Sequence, residues 1–290
     1  MESVHIRKFS EDDIDFAHRM NLEEGWNNTR ADIKRMFNYE PEGCFIAEIS
    51  GKAAGHVFSV GYGRLGWIGF LIVREKLRKK GIGTQLMRKA VEYLSAFEIK
   101  SIRLEAERRA AELYRRLGFV DEYYSLRFEG VSERMSITPN RSNCRVVPLE
   151  WERVEELAEF DSQYFGANRI KVLTALYQDD PQYCFISHNQ SGIAGYIICR
   201  QAETGYRVGP WVCDPKNEMV ALELLMTCVN RVEHGQKLYI GVPAVNEAAM
   251  NIVQNLNFQQ YSKSIRMVLG QEIKNEHVNG VFAIGGPEKG

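Results

Sequence analysis

Residues Leu77–Leu86 read LRKKGIGTQL: Arg78, Lys79 and Lys80 run directly into Gly81 and Gly83, with Ile82 between the glycines and Thr84 after them. The stretch follows an apolar run, Trp67–Val73 (WIGFLIV), and opens into a segment with helical spacing. In a glycine turn at the start of a helix, backbone N–H groups point outward, and the positive end of the helix dipole adds to them. Such a turn is built to hold phosphate. The three cations would each add a charge-assisted contact of about 1.5–3 kcal/mol where water is excluded. Nucleotide loops do not fit. A Walker loop needs Lys after its last Gly, and the dinucleotide fingerprint needs a third Gly where Leu86 stands.

A second group lies in Asn21–Thr29, NLEEGWNNT. Glu24 beside Trp26 and Asn27 suits an ammonium ion, through charge pairing and cation–π contact. The plainer reading is that Asn28 or Thr29 caps the next helix while Trp26 packs, and both can hold.

The elements that must position these groups are written twice. CFIAEISGKAAG from Cys44 and CFISHNQSGIAG from Cys184 stand 184 − 44 = 140 residues apart, and Ala54-Gly55 and Gly69 match Ala194-Gly195 and Gly209 at that offset. Leu86-Met87 match Leu225-Met226, and LGF at Leu117 matches LNF at Leu256, at an offset of 139. This ordered self-similarity marks a duplication, with a Pro-containing polar linker near Thr138–Asn143. The expected domains are 1–138 and 143–290. Each half reads as strand, two helices, three strands near 43–49, 53–60 and 65–73, a long amphipathic helix, a strand (SIRLEAE), a helix ended by Gly118, and a closing strand (FVDEYYSLRF). That order gives an α+β class: a mixed, mostly antiparallel twisted sheet flanked by helices, with one crossover helix.

On two signatures the first half resembles the GNAT acetyltransferase superfamily. Val73–Thr84 resembles its pyrophosphate loop, R/Q-x-x-G-x-G/A, at Arg78, Gly81 and Gly83, and AAELYRRLGF, Ala110–Phe119, resembles A-x-x-L-Y-x-x-x-G-F. The resemblance covers residues 4–128 and implies acetyl-CoA as co-substrate. It implies that Leu71, Ile72 and Val73 offer backbone groups to the pantetheine and acetyl carbonyl, and that Tyr114 is the general acid. A tyrosine hydroxyl, with an ordinary pKa near 10, stays protonated at neutral pH and can protonate a departing thiolate. Where the family often carries Asn, this chain has Glu107. The general base stays open among Glu24, His56 and Glu107, directly or through water, since residues 65–73 carry no carboxylate. The acceptor contacts expected are Glu24, Trp26, Asn27 and His56.

The second half keeps the scaffold and loses both signatures. RKKGIG aligns with NEMVAL, Asn217–Leu222, and Tyr114 with Val253. It is expected to be a degenerate GNAT-like domain that serves a structural role or walls the acceptor pocket, with Asp161, Arg169, Arg200 and Trp211 the residues to watch.

A net charge of −1 leaves no global field for nucleic acid or an anionic membrane. No apolar run approaches the ~20 residues of a membrane span. Six scattered cysteines, none in a C-x-x-C pair, read as small buried hydrophobes in a reducing cytoplasm, and isolated histidines leave no metal site. No Cys or Ser sits in a nucleophile setting, so direct attack by a small primary amine in a ternary complex is expected, in a monomer or homodimer. The alternatives are a non-catalytic acyl-CoA sensor or scaffold, and a protein N-terminal or lysine acetyltransferase.

Overall fold

The computed structural model describes residues 3–135, 144–190, 192–271 and 277–290; the linker expected at Thr138–Asn143 lies outside them. The chain forms two compact units. The first comprises Met1–Glu122, Arg266–Glu272 and Pro287–Gly290; the second comprises Tyr123–Ile265 and Ile273–Gly286.

In the first unit the elements run β1 (Val4–Lys8), α1 (Ile14–Glu23), α2 (Arg30–Tyr39), β2 (Cys44–Ile49), β3 (Lys52–Tyr62), β4 (Leu65–Val73), α3 (Ile82–Ser95), β5 (Ser101–Ala106), α4 (Ala111–Arg116) and the start of β6 (Val120–Val131). Both early helical segments begin on reciprocal caps. The Asp32 N–H donates to Thr29 Oγ1 at 3.0 Å while the Thr29 N–H donates to Asp32 at 2.9 Å, and Ser10 and Asp13 repeat the arrangement. Thr29 therefore does cap α2. Strands β1 to β4 pair antiparallel in sequence order, and β4 pairs parallel with β5 through the crossover helix α3. The apolar stripe of α3, Leu86, Met87, Ala90 and Leu94, is fully buried. Two features open the sheet. The β4–β5 register covers only Leu65–Trp67 with Ser101–Arg103, although both strands continue beyond it. The β3–β4 register slips between His56 and Phe58, where Phe70 takes a positive φ of 50°.

The second unit repeats the order: β7 (Arg145–Pro148), α5 (Val154–Phe165), α6 (Ile170–Asp179), β8 (Cys184–Asn189), β9 (Gly192–Gln201), β10 (Tyr206–Cys213), α7 (Glu218–Arg231), β11 (Lys237–Pro243), α8 (Glu247–Asn255) and β12 (Gln259–Gly270), followed by a short β13 (Val281–Ala283). β10 pairs parallel with β11. Of the six cysteines, all free, five are buried and Cys144 is half-buried.

The units are composed differently from the expected 1–138 and 143–290. Beside β11 the second unit is completed by β6, in the register Lys237↔Val131 to Pro243↔Ser125. Beside β5 the first unit is completed by residues 266–270 of β12: Arg266 Nε donates to Glu105 at 2.7 Å, and the Gln271 N–H donates to the Lys100 carbonyl at 2.8 Å. The repeat boundary follows chain order, whereas the compact units follow packing, and the closing strands of the two repeats are exchanged.

Candidate active site

The glycine loop begins where β4 ends. Gly81 sits at φ 81°, ψ −1°, the left-handed conformation that favours glycine, and is the residue from which α3 starts. A side chain at Gly83 would meet only ordinary contacts, Leu113 at 3.6 Å and Val73 at 3.8 Å. The first-turn amides of α3 belong to Ile82, which is buried, and to Gly83 and Thr84, which are half-buried; Lys79 and Lys80 are exposed. Leu71 and Val73 are half-buried and Ile72 buried, on the part of β4 that has left β5.

Arg78 is not free in solvent. Its Nε donates to the Val73 carbonyl at 3.0 Å, and its guanidinium pairs with Glu24, at the C-cap of α1. The other Glu24 oxygen pairs with Arg109. The Arg109 Nε donates to Glu107 at 2.7 Å, and Glu107 accepts the Trp26 indole N–H at 2.6 Å. Trp26 stacks on Phe70, with ring centroids 6.2 Å apart and planes at 27°. One chain of contacts thus joins the end of β4, the glycine loop, the α1–α2 connection and the turn after β5. It brings together Glu24, Trp26, Arg78 and Glu107 from the expected site, and adds Arg109 and Phe70. Sequence reasoning missed both: an arginine two residues past Glu107 has no motif, and a bulge leaves no mark in an apolar run.

Tyr114, on α4, is 7 % exposed. Burial pushes its hydroxyl pKa well above 10, nearby Glu107 pushes it further, and Arg109 pulls it back. The hydroxyl therefore holds its proton throughout the neutral range.

His56 lies elsewhere in character. It is 0 % exposed, with its ring packed edge-on to Phe9, Phe16 and Phe58. Burial lowers its pKa to about 4, with the Phe70 backbone and Asp13 opposing weakly. A neutral ring closed off by three phenylalanines is a packing group at pH 7, so neither an acceptor contact nor a base fits His56. Asn27 is half-buried.

The second unit differs at each corresponding position. α7 starts at Glu218 after Asn217, Asn217–Leu222 carries neither glycine nor cation, and Val253 is fully buried. Pro210, which has no N–H, stands at the position of Phe70, 210 − 70 = 140 residues on. Beyond the paired stretch of β10 and β11, β13 fills the opening. It pairs antiparallel with Trp211 and Val212, and the Ile284 N–H donates to the Gly241 carbonyl of β11 at 2.9 Å. Arg200 holds it, donating to the Gly209 and Gly285 carbonyls, both at 2.8 Å. Trp211 is fully buried with its ring 4.9 Å from Phe282. Asp161 accepts from Arg169 at 2.8 Å and from Tyr196 at 2.6 Å, all buried. These four residues are internal to their unit.

Comparison with known proteins agrees with both halves. The profile of the Acetyltransferase (GNAT) family matches residues 11–119, and that of an Acetyltransferase (GNAT) domain matches residues 157–283. Holothin acyltransferase of Pseudoalteromonas sp. is 24% identical over 88% of this chain and 84% of its own. An uncharacterized N-acetyltransferase of Archaeoglobus fulgidus is 34% identical over 38% of this chain and 81% of its own. Among solved structures, a putative acetyltransferase from Pyrococcus horikoshii superposes with a TM-score of 0.83 at 24% identity, over 100% of this chain and 97% of its own. A tandem GNAT protein from the clavulanic acid biosynthesis pathway gives 0.62 at 11%, over 92% and 98%.

Proposed function

The chain belongs to the GNAT family of acetyltransferases, and we propose that its first unit transfers the acetyl group of acetyl-CoA directly to a small primary amine. The observation that carries this reading is the junction of a positive-φ glycine loop at a helix start with a buried, protonated Tyr114 across an opened sheet. The residues present fit the cofactor. The loop amides and Arg78 would hold the pyrophosphate, and the exposed edge of Leu71–Val73 would take the pantetheine by β-type hydrogen bonds.

Acetyl-CoA would supply an activated thioester. With it bound, the C–N bond to the amine would form as the C–S bond breaks; Tyr114 would give its proton to the departing sulfur and recover one, through water, from the nitrogen that has attacked. Trp26 and Glu107 lie beside this point and supply an aromatic face and a carboxylate for the incoming amine. The second unit supports the assignment by contrast: β13 fills the opening and valine replaces the acid, so on this reading it takes no second cofactor.

CoA release from acetyl-CoA, measured against a panel of primary amines, tests this. Tyr114→Phe is expected to lower kcat by about 10²–10⁴-fold with acetyl-CoA affinity unchanged. Equal turnover in the variant would remove Tyr114 from the chemistry.

A further inference from the structure

The buried residues of the first unit that the reaction does not use include a charged pair far along the chain, Glu288 and Lys289, each 2 % exposed and ion-paired to one another. Three contacts hold their backbone to the sheet. The Trp67 indole N–H donates to the Pro287 carbonyl at 3.0 Å, and the Tyr62 hydroxyl donates to the Lys289 carbonyl at 3.1 Å. A Cβ built on Gly69 would stand 2.5 Å from the Glu288 Cα and 2.6 Å from its carbonyl oxygen, so the segment rests directly on that glycine.

Its position is specific. Gly69 pairs with Phe58 and Trp67 with Val60, on the face of the sheet where Phe58 meets Phe9 and Phe70. The other face is covered by α3, with Leu94 against Gly66. Gly69 immediately precedes Phe70, the bulged residue under Trp26. Glu288 therefore lies beside the point where β4 opens and on the same side as the α1–α2 connection.

The second unit shows what such a passage needs structurally. There Ile284 crosses Gly209, the counterpart of Gly69, with its carbonyl 2.2 Å from a Cβ built on that glycine. That stretch, Val281–Ile284, is apolar and buried. Apolar residues suffice to cover the glycine. A buried ion pair is weak support for a fold, because desolvation offsets most of its attraction. Covering Gly69 therefore does not in itself require the charged pair of the first unit.

We infer that Glu288 is a specificity-determining residue of the acceptor site: its carboxylate receives a second, cationic group of the acceptor, and the Lys289 ammonium is the internal occupant that the acceptor displaces. The chemical class is a diamine, one nitrogen unprotonated toward the acetyl group and the other an ammonium on Glu288. This rests on the amine-acetyltransferase reading above.

Two probes test it, 1,4-diaminobutane and n-butylamine, with the full chain. Wild type is expected to favour the diamine in kcat/KM on the order of tenfold to a hundredfold, the range of one charge-assisted bond. Glu288→Gln abolishes that preference with acetyl-CoA affinity unchanged, and Lys289→Met lowers the KM for the diamine. A purely structural role would instead weaken both amines alike in both variants. Calorimetric binding of 1,4-diaminobutane to the CoA-loaded chain reads the same site without turnover. Glu288-dependent binding without acetyl transfer would sustain Glu288 as a diamine-binding carboxylate and sink the enzymatic reading. Turnover of both amines with equal efficiency, or a preference that survives Glu288→Gln, would overturn the inference and leave acetyl transfer standing.

Discussion

Arg78 has two claimants, and their competition can be measured. In the free chain its guanidinium is held by Glu24, a carboxylate only 9 % exposed, while the Arg78 side chain is 32 % exposed. For the loop to bind pyrophosphate, Arg78 must exchange a carboxylate for phosphate oxygens. Glu24 is then a competitor for the cofactor and a latch between the α1–α2 connection and the glycine loop. A half-exposed pair of this kind is worth about 1 kcal/mol, so Glu24→Gln, which keeps the shape and removes the charge, is expected to tighten acetyl-CoA about 3–5-fold. Arg78→Ala removes a charge-assisted contact worth about 1.5–3 kcal/mol and is expected to loosen acetyl-CoA about 10–100-fold. Isothermal titration at fixed ionic strength reads both. The opposite signs are the test: if Glu24→Gln weakens acetyl-CoA as Arg78→Ala does, Glu24 orders the loop and the competition argument fails. A hundredfold fall in kcat at unchanged affinity would identify Glu24 as the proton acceptor in place of a latch.

Two other perturbations follow from the same residues. Arg266 is 4 % exposed and pairs with Glu105, itself 0 % exposed; Arg266→Ala takes the guanidinium away from a buried carboxylate and should cost about 3–5 kcal/mol in urea denaturation, and a loss below 1 kcal/mol would mean water reaches Glu105. His56 has its folded pKa depressed to about 4 from 6.5, so between those values the unfolded chain binds more protons and stability falls as pH drops, by about 3 kcal/mol across the window. His56→Phe should flatten that part of the stability–pH curve, and an unchanged slope would show that the imidazole is hydrated.

What could be read from the sequence was local. The glycine loop, the α3 stripe and the Thr29 cap all depend on neighbours within one turn or one strand, and each is found in the structure, as is the repeated element order that the offset of 140 residues marks. The exchange of closing strands was not legible. FVDEYYSLRF and the corresponding stretch of β12 occupy equivalent places in the repeat, and either fits either sheet edge, so long-range pairing decides between them. The contacts among Glu24, Arg78 and Arg109 join residues with no sequence periodicity in common. His56 appeared chemically available because alternation in AAGHVFSV does not reveal that both faces of β3 are covered; the structure closes three phenylalanines on it. Glu288 and Lys289 gave no signal at all, since a charged dipeptide near Gly290 reads as solvated until Trp67 and Tyr62 are seen to hold its backbone.

The central claim is that one unit binds the cofactor and the other does not. Calorimetric titration of acetyl-CoA into the full chain, with a Gly81→Asp/Gly83→Asp variant beside it, tests that directly. The account predicts one site per chain, lost in the variant, because aspartates place negative charge and side chains where the loop amides must meet pyrophosphate. Two sites, or one site that survives the substitutions, would contradict it.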